Sequence, residues 1–215
     1  MFSTRIATQI YAKICFETTL GQKKIIEKLS EYLAGDDFSR IFVLNGFAGT
    51  GKTTLIAAVV AALKELRIKP VLLAPTGRAA KVLARYCGEQ ALTIHKRIYR
   101  QRTNADYESK FSLDFNREQG AVFIVDEASM LSDSTGDGAL FGSGSLLEDL
   151  VSYVRSGRGC RLILVGDSAQ LPPVGCDFSP ALDPATVSRY GEVVYGLMDE
   201  VVRQQMQSGI LFNAT

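Results

Sequence analysis

The chain has 215 residues, with 24 Lys+Arg against 23 Asp+Glu for a formal net charge of +1, and is 47% hydrophobic and 22% charged. That length holds one large domain or one domain with an appendage, and that composition is the globular average, so a disordered chain, a polyanionic tail and a globally basic nucleic-acid binder are excluded. The longest uninterrupted apolar run, Leu55 to Leu63, is nine residues, far short of the roughly 20 that cross a bilayer as a helix.

The amino-terminal stretch MFSTRIATQIYAKICFETT interrupts its apolar residues with Thr, Gln and Lys before a signal core of about 7 residues can form, so secretion is not expected. Cys15, Cys87, Cys160 and Cys176 lack CxxC spacing, and His95 is the only histidine. They read as reduced thiols of a cytoplasmic protein, neither disulfides nor zinc ligands.

No segment repeats at a fixed period. Taken in chain order, Ile25, Ile26, Leu29, Tyr32 and Leu33 recur at spacings of three and four, which predicts a helix from Gln22 to Leu33. A strand follows at Ile41 to Asn45 (IFVLN). Lys52 to Leu66, almost wholly Ala, Val, Leu and Ile, predicts a buried helix. Val71 to Ala74 is a second strand and Arg78 to Tyr86 a third helix. Polar, unperiodic Gln101 to Gly120 and Gly/Ser-rich Ser132 to Ser145 predict mobile surface loops. Further strands are Val122 to Val125, Leu162 to Gly166 and Val193 to Leu197. Short continuous apolar strands alternating with helices predict an α/β fold with a parallel sheet covered on both faces.

Between the first strand and the buried helix, Gly46 to Thr53 spells GFAGTGKT, an intact GxxxxGKT loop. Its glycines allow successive backbone N–H groups to point inward, the helix start adds partial positive charge, Lys52 reaches outer phosphates and Thr53 offers a hydroxyl to magnesium. A ligand-free Gly-rich turn is the bland alternative. Asp126 and Glu127 follow the strand Val122 to Val125, at the edge where ligands bind in open parallel sheets. There Asp126 suits a magnesium shell and Glu127 an attacking water, unless the pair merely begins a helix. After Leu162 to Gly166 comes GDSAQLPPV, whose Gln170 could sense a γ-phosphate or could sit in a plain proline-ended turn. From Arg78 to Arg102, Arg78, Lys81, Arg85, Lys96, Arg97, Arg100 and Arg102 face one acid, Glu89, with Tyr86 and Tyr99 interleaved. That run suits a single-strand track as well as a solvated face.

The segments GFAGTGKTT, APTGRAAKVL, TIHK, FIVDEASML, VGDSAQLPPVG and VVRQ occur in the order of superfamily 1 DNA helicases, and the chain most resembles the RecD-like branch, the relatives of the exonuclease V alpha subunit. The resemblance spans Gln22 to about Arg203. It implies a RecA-like P-loop NTPase, divided into a helical segment at 1–38 and motor domain 1A at 39–215, using ATP and Mg2+. It implies that Gln22 reads adenine, that Gly46, Ala48, Gly49, Thr50, Gly51, Lys52, Thr53 and Thr54 hold the phosphates, and that Thr53 and Asp126 hold the metal. The catalytic set is Lys52, Glu127, Gln170 and Arg203, the last reaching the γ-phosphate. The resemblance further implies that single-stranded DNA follows Pro75, Thr76, Gly77 and Arg78 with Thr93, His95 and Lys96. The implied full protein tracks 5′ to 3′ with a second RecA-like domain in cis and with recombination or repair subunits as possible partners. That second domain is missing from these 215 residues, so they read as a piece of a longer helicase that binds ATP but does not unwind alone. A nucleotide-switched DNA-binding or interaction module is the alternative.

Overall fold

The computed structural model describes residues 2–103, 109–133 and 141–200. Helix α1 (Phe2–Lys13) leads into α2 (Leu20–Ala34), which opens on a reciprocal cap. Thr19 Oγ1 accepts the Gln22 N–H at 3.2 Å, and Gln22 Oε1 accepts the Thr19 N–H at 3.1 Å, satisfying two donors that a helix start leaves open. Then come β1 (Ile41–Gly46), α3 (Lys52–Glu65), β2 (Pro70–Ala74) and α4 (Gly77–Cys87), the last closed by Gly88 in the left-handed region at φ 63°. They are followed by β3 (Ala91–Thr93), α5 (Ile94–Ile98), β4 (Tyr99–Thr103), β5 (Ser109–Leu113) and β6 (Val122–Val125). A 3-10 turn (Ala128–Met130) precedes α6 (Leu146–Ser156) and β7 (Arg161–Gly166). Another 3-10 turn (Pro180–Leu182), α7 (Pro184–Val187), a third 3-10 turn (Ser188–Tyr190) and β8 (Val193–Met198) complete the described chain.

Six strands form one sheet in the order β3-β2-β6-β7-β1-β8, and every pairing in it is parallel. β1, β6 and β7 are buried throughout, which explains why their sequences are apolar without alternation. Along β1, Phe42 and Leu44 join the core built with α1 to α4, while Ile41 and Val43 join the core built with α5 to α7. Each large side chain so buried stabilises the fold by about 2 kcal/mol. Ile6 and Ile10 of α1 pack into the first of these cores, so the segment 1–38 shares its interior with the sheet. Among the described residues no helix is long and apolar enough to cross a membrane, and all four cysteines are unpaired.

Among the described residues β8 forms one rim of the sheet. On that rim Lys28 Nζ donates to the Tyr195 carbonyl at 3.2 Å.

The expected loop from Gln101 to Gly120 needs correcting. β4 and β5 pair antiparallel as a hairpin, with Tyr99 opposite Leu113 and Gln101 opposite Phe111. This ribbon stands outside the main sheet, and its inward face carries Tyr99, Phe111 and Leu113, each partly buried, so the apolar alternation along it is too short to read as a strand. The segment after it is also fixed: buried Asn116 donates from Nδ2 to the Val154 carbonyl at 3.2 Å and accepts the Glu118 N–H at 3.0 Å. The carboxyl-terminal part of the expected loop Ser132 to Ser145 is tied down too, since the Ser143 N–H donates to Asp149 Oδ2 at 3.0 Å. Residues 104–108 and 134–140 lie outside the described residues.

Candidate functional site

The loop after β1 bends through Gly49 (φ 78°) and Gly51 (φ 89°), both left-handed, where a side chain would strain the backbone. Gly51 is the cap residue of α3, and no side chain caps that helix. Its first backbone N–H groups therefore remain donors in search of an anion, at the positive end of the helix dipole. Thr50 is buried and its hydroxyl donates to the Phe47 carbonyl at 2.8 Å, holding the loop in shape. Gly46 has a different reason: a Cβ there would lie 2.8 Å from Met198 Cβ and 2.9 Å from the Met198 carbonyl, so the close approach of β8 forbids it.

Lys52 folds back over this loop. Its ammonium donates to the Gly46 and Phe47 carbonyls and lies 3.9 Å from Asp167 Oδ2. Burial pushes its pKa below the usual lysine value, against the pull of Asp167, Glu127 and Asp126. Asp167 itself is buried and accepts the Ala169 N–H at 2.9 Å. No role was expected for it. The available signal was an acid placed at the β7 end as Asp126 is at the β6 end.

At the end of β6, burial pushes the Asp126 carboxyl above the ordinary range. The Glu127 charge adds to this, while the Glu127 N–H and Lys52 oppose it. Glu127 has φ 55° and ψ 37° and is one of two non-glycine residues with positive φ among those described. That conformation costs on the order of 1–2 kcal/mol, and it turns the chain from the strand straight into Ala128–Met130. Buried Ser129 in this turn donates from Oγ to Gln170 Oε1 at 3.2 Å. Gln170 is exposed beyond the end of β7. Asn45 at the tip of β1 ties the neighbouring tips together: its Nδ2 donates to Ser168 Oγ and to Tyr195 Oη, both at 2.9 Å, and its Oδ1 accepts the Ser168 N–H at 3.0 Å. β6, β7 and β1 are consecutive in the sheet, so Lys52, Asp126 with Glu127, and Gln170 come off adjacent strand ends on one edge.

Gln22 lies beside the same loop. Its Nε2 donates to the Thr50 carbonyl at 3.1 Å while its Oε1 serves the α2 cap, and the side chain is buried. It lines a shallow cavity with Thr19, Gly21, Thr50, Met198, Asp199 and Glu200. Ala48 is exposed on the loop, and Thr53 and Thr54 stand in the first turn of α3. Arg203 lies outside the described residues.

The two expected strand-tracking segments follow β2 and β3, which are adjacent, so they share the edge that carries the phosphate loop. Both threonines act as helix caps: Thr76 Oγ1 accepts the Ala79 N–H and Thr93 Oγ1 the Lys96 N–H, each at 3.2 Å. Thr76, Gly77, Arg78 and Lys96 are exposed and Pro75 partly so. His95 packs its ring against Tyr99 at 5.6 Å and Phe141 at 5.1 Å, and burial lowers its pKa. The basic run is not one surface. Arg97 pairs with Glu118 at 2.6 Å, Arg100 pairs with Asp114 at 2.9 Å, and Tyr99 Oη donates to Asp149 at 2.6 Å. Arg78, Lys81, Arg85 and Lys96 remain exposed with Tyr86.

A glycine loop, its lysine, an acid pair and a carboxamide on neighbouring parallel strand ends define a P-loop nucleotide-binding domain of the RecA-like kind. A family described as AAA domain matches residues 19–210, and the chain belongs to it. It is 33% identical over 135 residues to the ATP-dependent RecD2 DNA helicase of Deinococcus radiodurans, covering 63% of this chain and 16% of that one. It is 32% identical over 201 residues to the RecBCD enzyme subunit RecD of Mycobacterium tuberculosis, covering 76% of this chain and 32% of that one. Among solved structures, the Pif1 helicase from Bacteroides in complex with ADP-AlF3 and ssDNA has the same fold at TM-score 0.55 and 19% identity, covering 88% of this chain and 44% of that one. These likenesses agree with the RecD-like branch of superfamily 1 that the motifs imply. The chain spans between 12% and 32% of the length of the first three curated relatives.

Proposed function

We propose that this chain is the first RecA-like motor domain of an ATP-dependent DNA helicase, coupling ATP hydrolysis to movement along single-stranded DNA in the full-length protein. The observation that carries the reading is the convergence of Lys52, Asp126 with Glu127, and Gln170 on adjacent strand ends beside an uncapped helix start. The residues fit a magnesium nucleotide. The open N–H groups and Lys52 are acceptor-seeking, and Asp126 is a half-buried carboxylate whose charged form is disfavoured by desolvation and by the neighbouring Glu127 charge, as expected of a group suited to a cation. Thr53 and Asp126 would hold the magnesium, which supplies charge neutralisation between the phosphates.

Within this reading Lys52 leaves the Gly46 and Phe47 carbonyls for phosphate oxygen, Glu127 orients and deprotonates the attacking water, and Gln170 donates its amide N–H to the γ-phosphate. Gly46 to Thr54 wrap the phosphates, Gln22 turns its spare amide proton toward adenine, and Arg203 adds the fixed charge that stabilises phosphoryl transfer. Thr76, Gly77, Arg78 and Lys96 present the phosphate-tracking face to DNA, with Pro75, Thr93 and His95 shaping it. The second RecA-like domain in cis completes the grip, travel runs 5′ to 3′ by likeness to the family, and recombination or repair subunits are candidate partners. A reducing cytoplasm suits the four free thiols.

The test is ATP turnover by the full-length protein with and without single-stranded DNA. DNA-stimulated turnover is expected, and turnover indifferent to DNA over a wide concentration range overturns the motor reading.

A further inference from the structure

We infer that Ser129 is a positioning residue that sets the orientation of the Gln170 carboxamide and ties it to the acid pair; the inference rests on the nucleotide reading above. Ser129 is fully buried, whereas Gln170 reaches solvent, and the Ser129 hydroxyl donates to Gln170 Oε1 at 3.2 Å. Phosphate oxygens only accept hydrogen bonds, so Gln170 can help a γ-phosphate only through its NH2 end. A half-turn of the amide would present Oε1 to the anion instead. With a phosphate in place, one arrangement satisfies all three groups: serine donates to Oε1 and Nε2 donates to phosphate. Without the serine hydroxyl an exposed amide has no local reason to prefer that orientation.

Two further features make the contact a coupling. A Cβ on Gly166 would lie 3.0 Å from the Ser129 amide nitrogen and 2.9 Å from Leu182 Cδ1. The backbone of the turn after the acid pair therefore rests on the last residue of β7, immediately before the segment that carries Gln170. Ser129 is also two residues beyond Glu127, whose left-handed backbone aims the turn. A shift of the water-orienting acid is thereby transmitted to the amide that detects the γ-phosphate.

The test measures binding of a fluorescent non-hydrolysable ATP analogue and of fluorescent ADP, with magnesium, to the 215-residue chain and to Ser129→Ala, Gln170→Ala and the double variant. Ser129→Ala is expected to lower the preference for the triphosphate by about threefold to tenfold, the worth of one hydrogen bond, with ADP affinity unchanged. In the Gln170→Ala background the same change is expected to have no further effect, because serine acts through the amide. An unchanged preference in Ser129→Ala, or equal losses in both backgrounds, overturns the inference. Loss of ADP binding in both Ser129→Ala and Ser129→Cys makes the serine a purely structural residue and overturns it as well. The underlying reading fails separately, if the unaltered chain binds neither nucleotide or if Gln170→Ala leaves the preference intact.

Discussion

Replacing Lys52 by alanine removes a side chain that faces both the phosphate loop and the acids of the neighbouring strand ends. Its ammonium is shared between two loop carbonyls and Asp167 at 3.9 Å, with Glu127 and Asp126 also contributing attraction. A bare ion pair at such a distance is worth about 4 kcal/mol at an effective dielectric near 20. Binding phosphate exchanges partners instead of making new ones, so the net gain falls to that of a charged hydrogen bond, about 1.5–3 kcal/mol. Lys52→Ala is accordingly expected to weaken ATP binding by about tenfold to a hundredfold, while AMP, which lacks the outer phosphates, binds as before. Folding stability should move by no more than about 1 kcal/mol, since the carbonyls regain water and the desolvation cost of the ammonium is relieved. Nucleotide titration followed by fluorescence, together with a denaturant melt, measures both quantities. A change in ATP affinity below about threefold, or a parallel loss for AMP, would refute the reasoning.

The remaining expectations are of several kinds. Asp126→Asn should raise the stability of the chain without added nucleotide by about 1 kcal/mol, or about 2–4 °C, and abolish stabilisation by magnesium nucleotide, as thermal melts with and without ligand will show. The unaltered Asp126 has its folded pKa above the ordinary value, so its folded form binds more protons and its contribution declines as pH rises from the ordinary carboxylate range through the raised one. Melts at about pH 5 and about pH 8 should therefore differ less in Asp126→Asn than in the unaltered chain. Gly46→Ala should destabilise by about 1–3 kcal/mol, because its Cβ meets Met198 backbone at 2.9 Å, and urea unfolding gives the value. Asp149→Ala leaves the Tyr99 hydroxyl and the Ser143 N–H without their acceptor and should cost about 2 kcal/mol, with amide exchange rising first around 99 and 143. Arg78→Ala in the full-length protein should lower the salt slope of single-strand binding by about 0.7, the signature of one phosphate contact.

Strands buried on both faces carry their identity in composition alone, which is why IFVLN, VFIV and LILVG could be read without a partner in view. The glycine loop was equally legible, since GFAGTGKT needs a strand before it and a helix after it and has both. β4 and β5 were not, because a two-stranded ribbon outside the main sheet is held by backbone pairing, by partial burial of Tyr99 and Leu113 against the core, and by anchors such as Tyr99 to Asp149, separated by 50 residues. Long separations in sequence also hid the ends of the site. Nothing in DEASML reveals that Ser129 touches Gln170, or in IFVLN that Asn45 holds Ser168 and Tyr195, because these contacts exist only once strands distant in sequence lie side by side. The charge run from Arg78 to Arg102 stayed open between two readings because two of its arginines find their acids, Asp114 and Glu118, beyond the run itself.

The ammonium of Lys28 on the carbonyl of Tyr195 has a consequence for how this molecule behaves among copies of itself. A bare outermost strand is a template on which a stranger's backbone can zip up, and a solvated cation seated there makes that approach unfavourable. Deprived of this guard, the sheet would become sticky along a single margin, and the first symptom would be turbidity at high concentration while nucleotide affinity stayed intact.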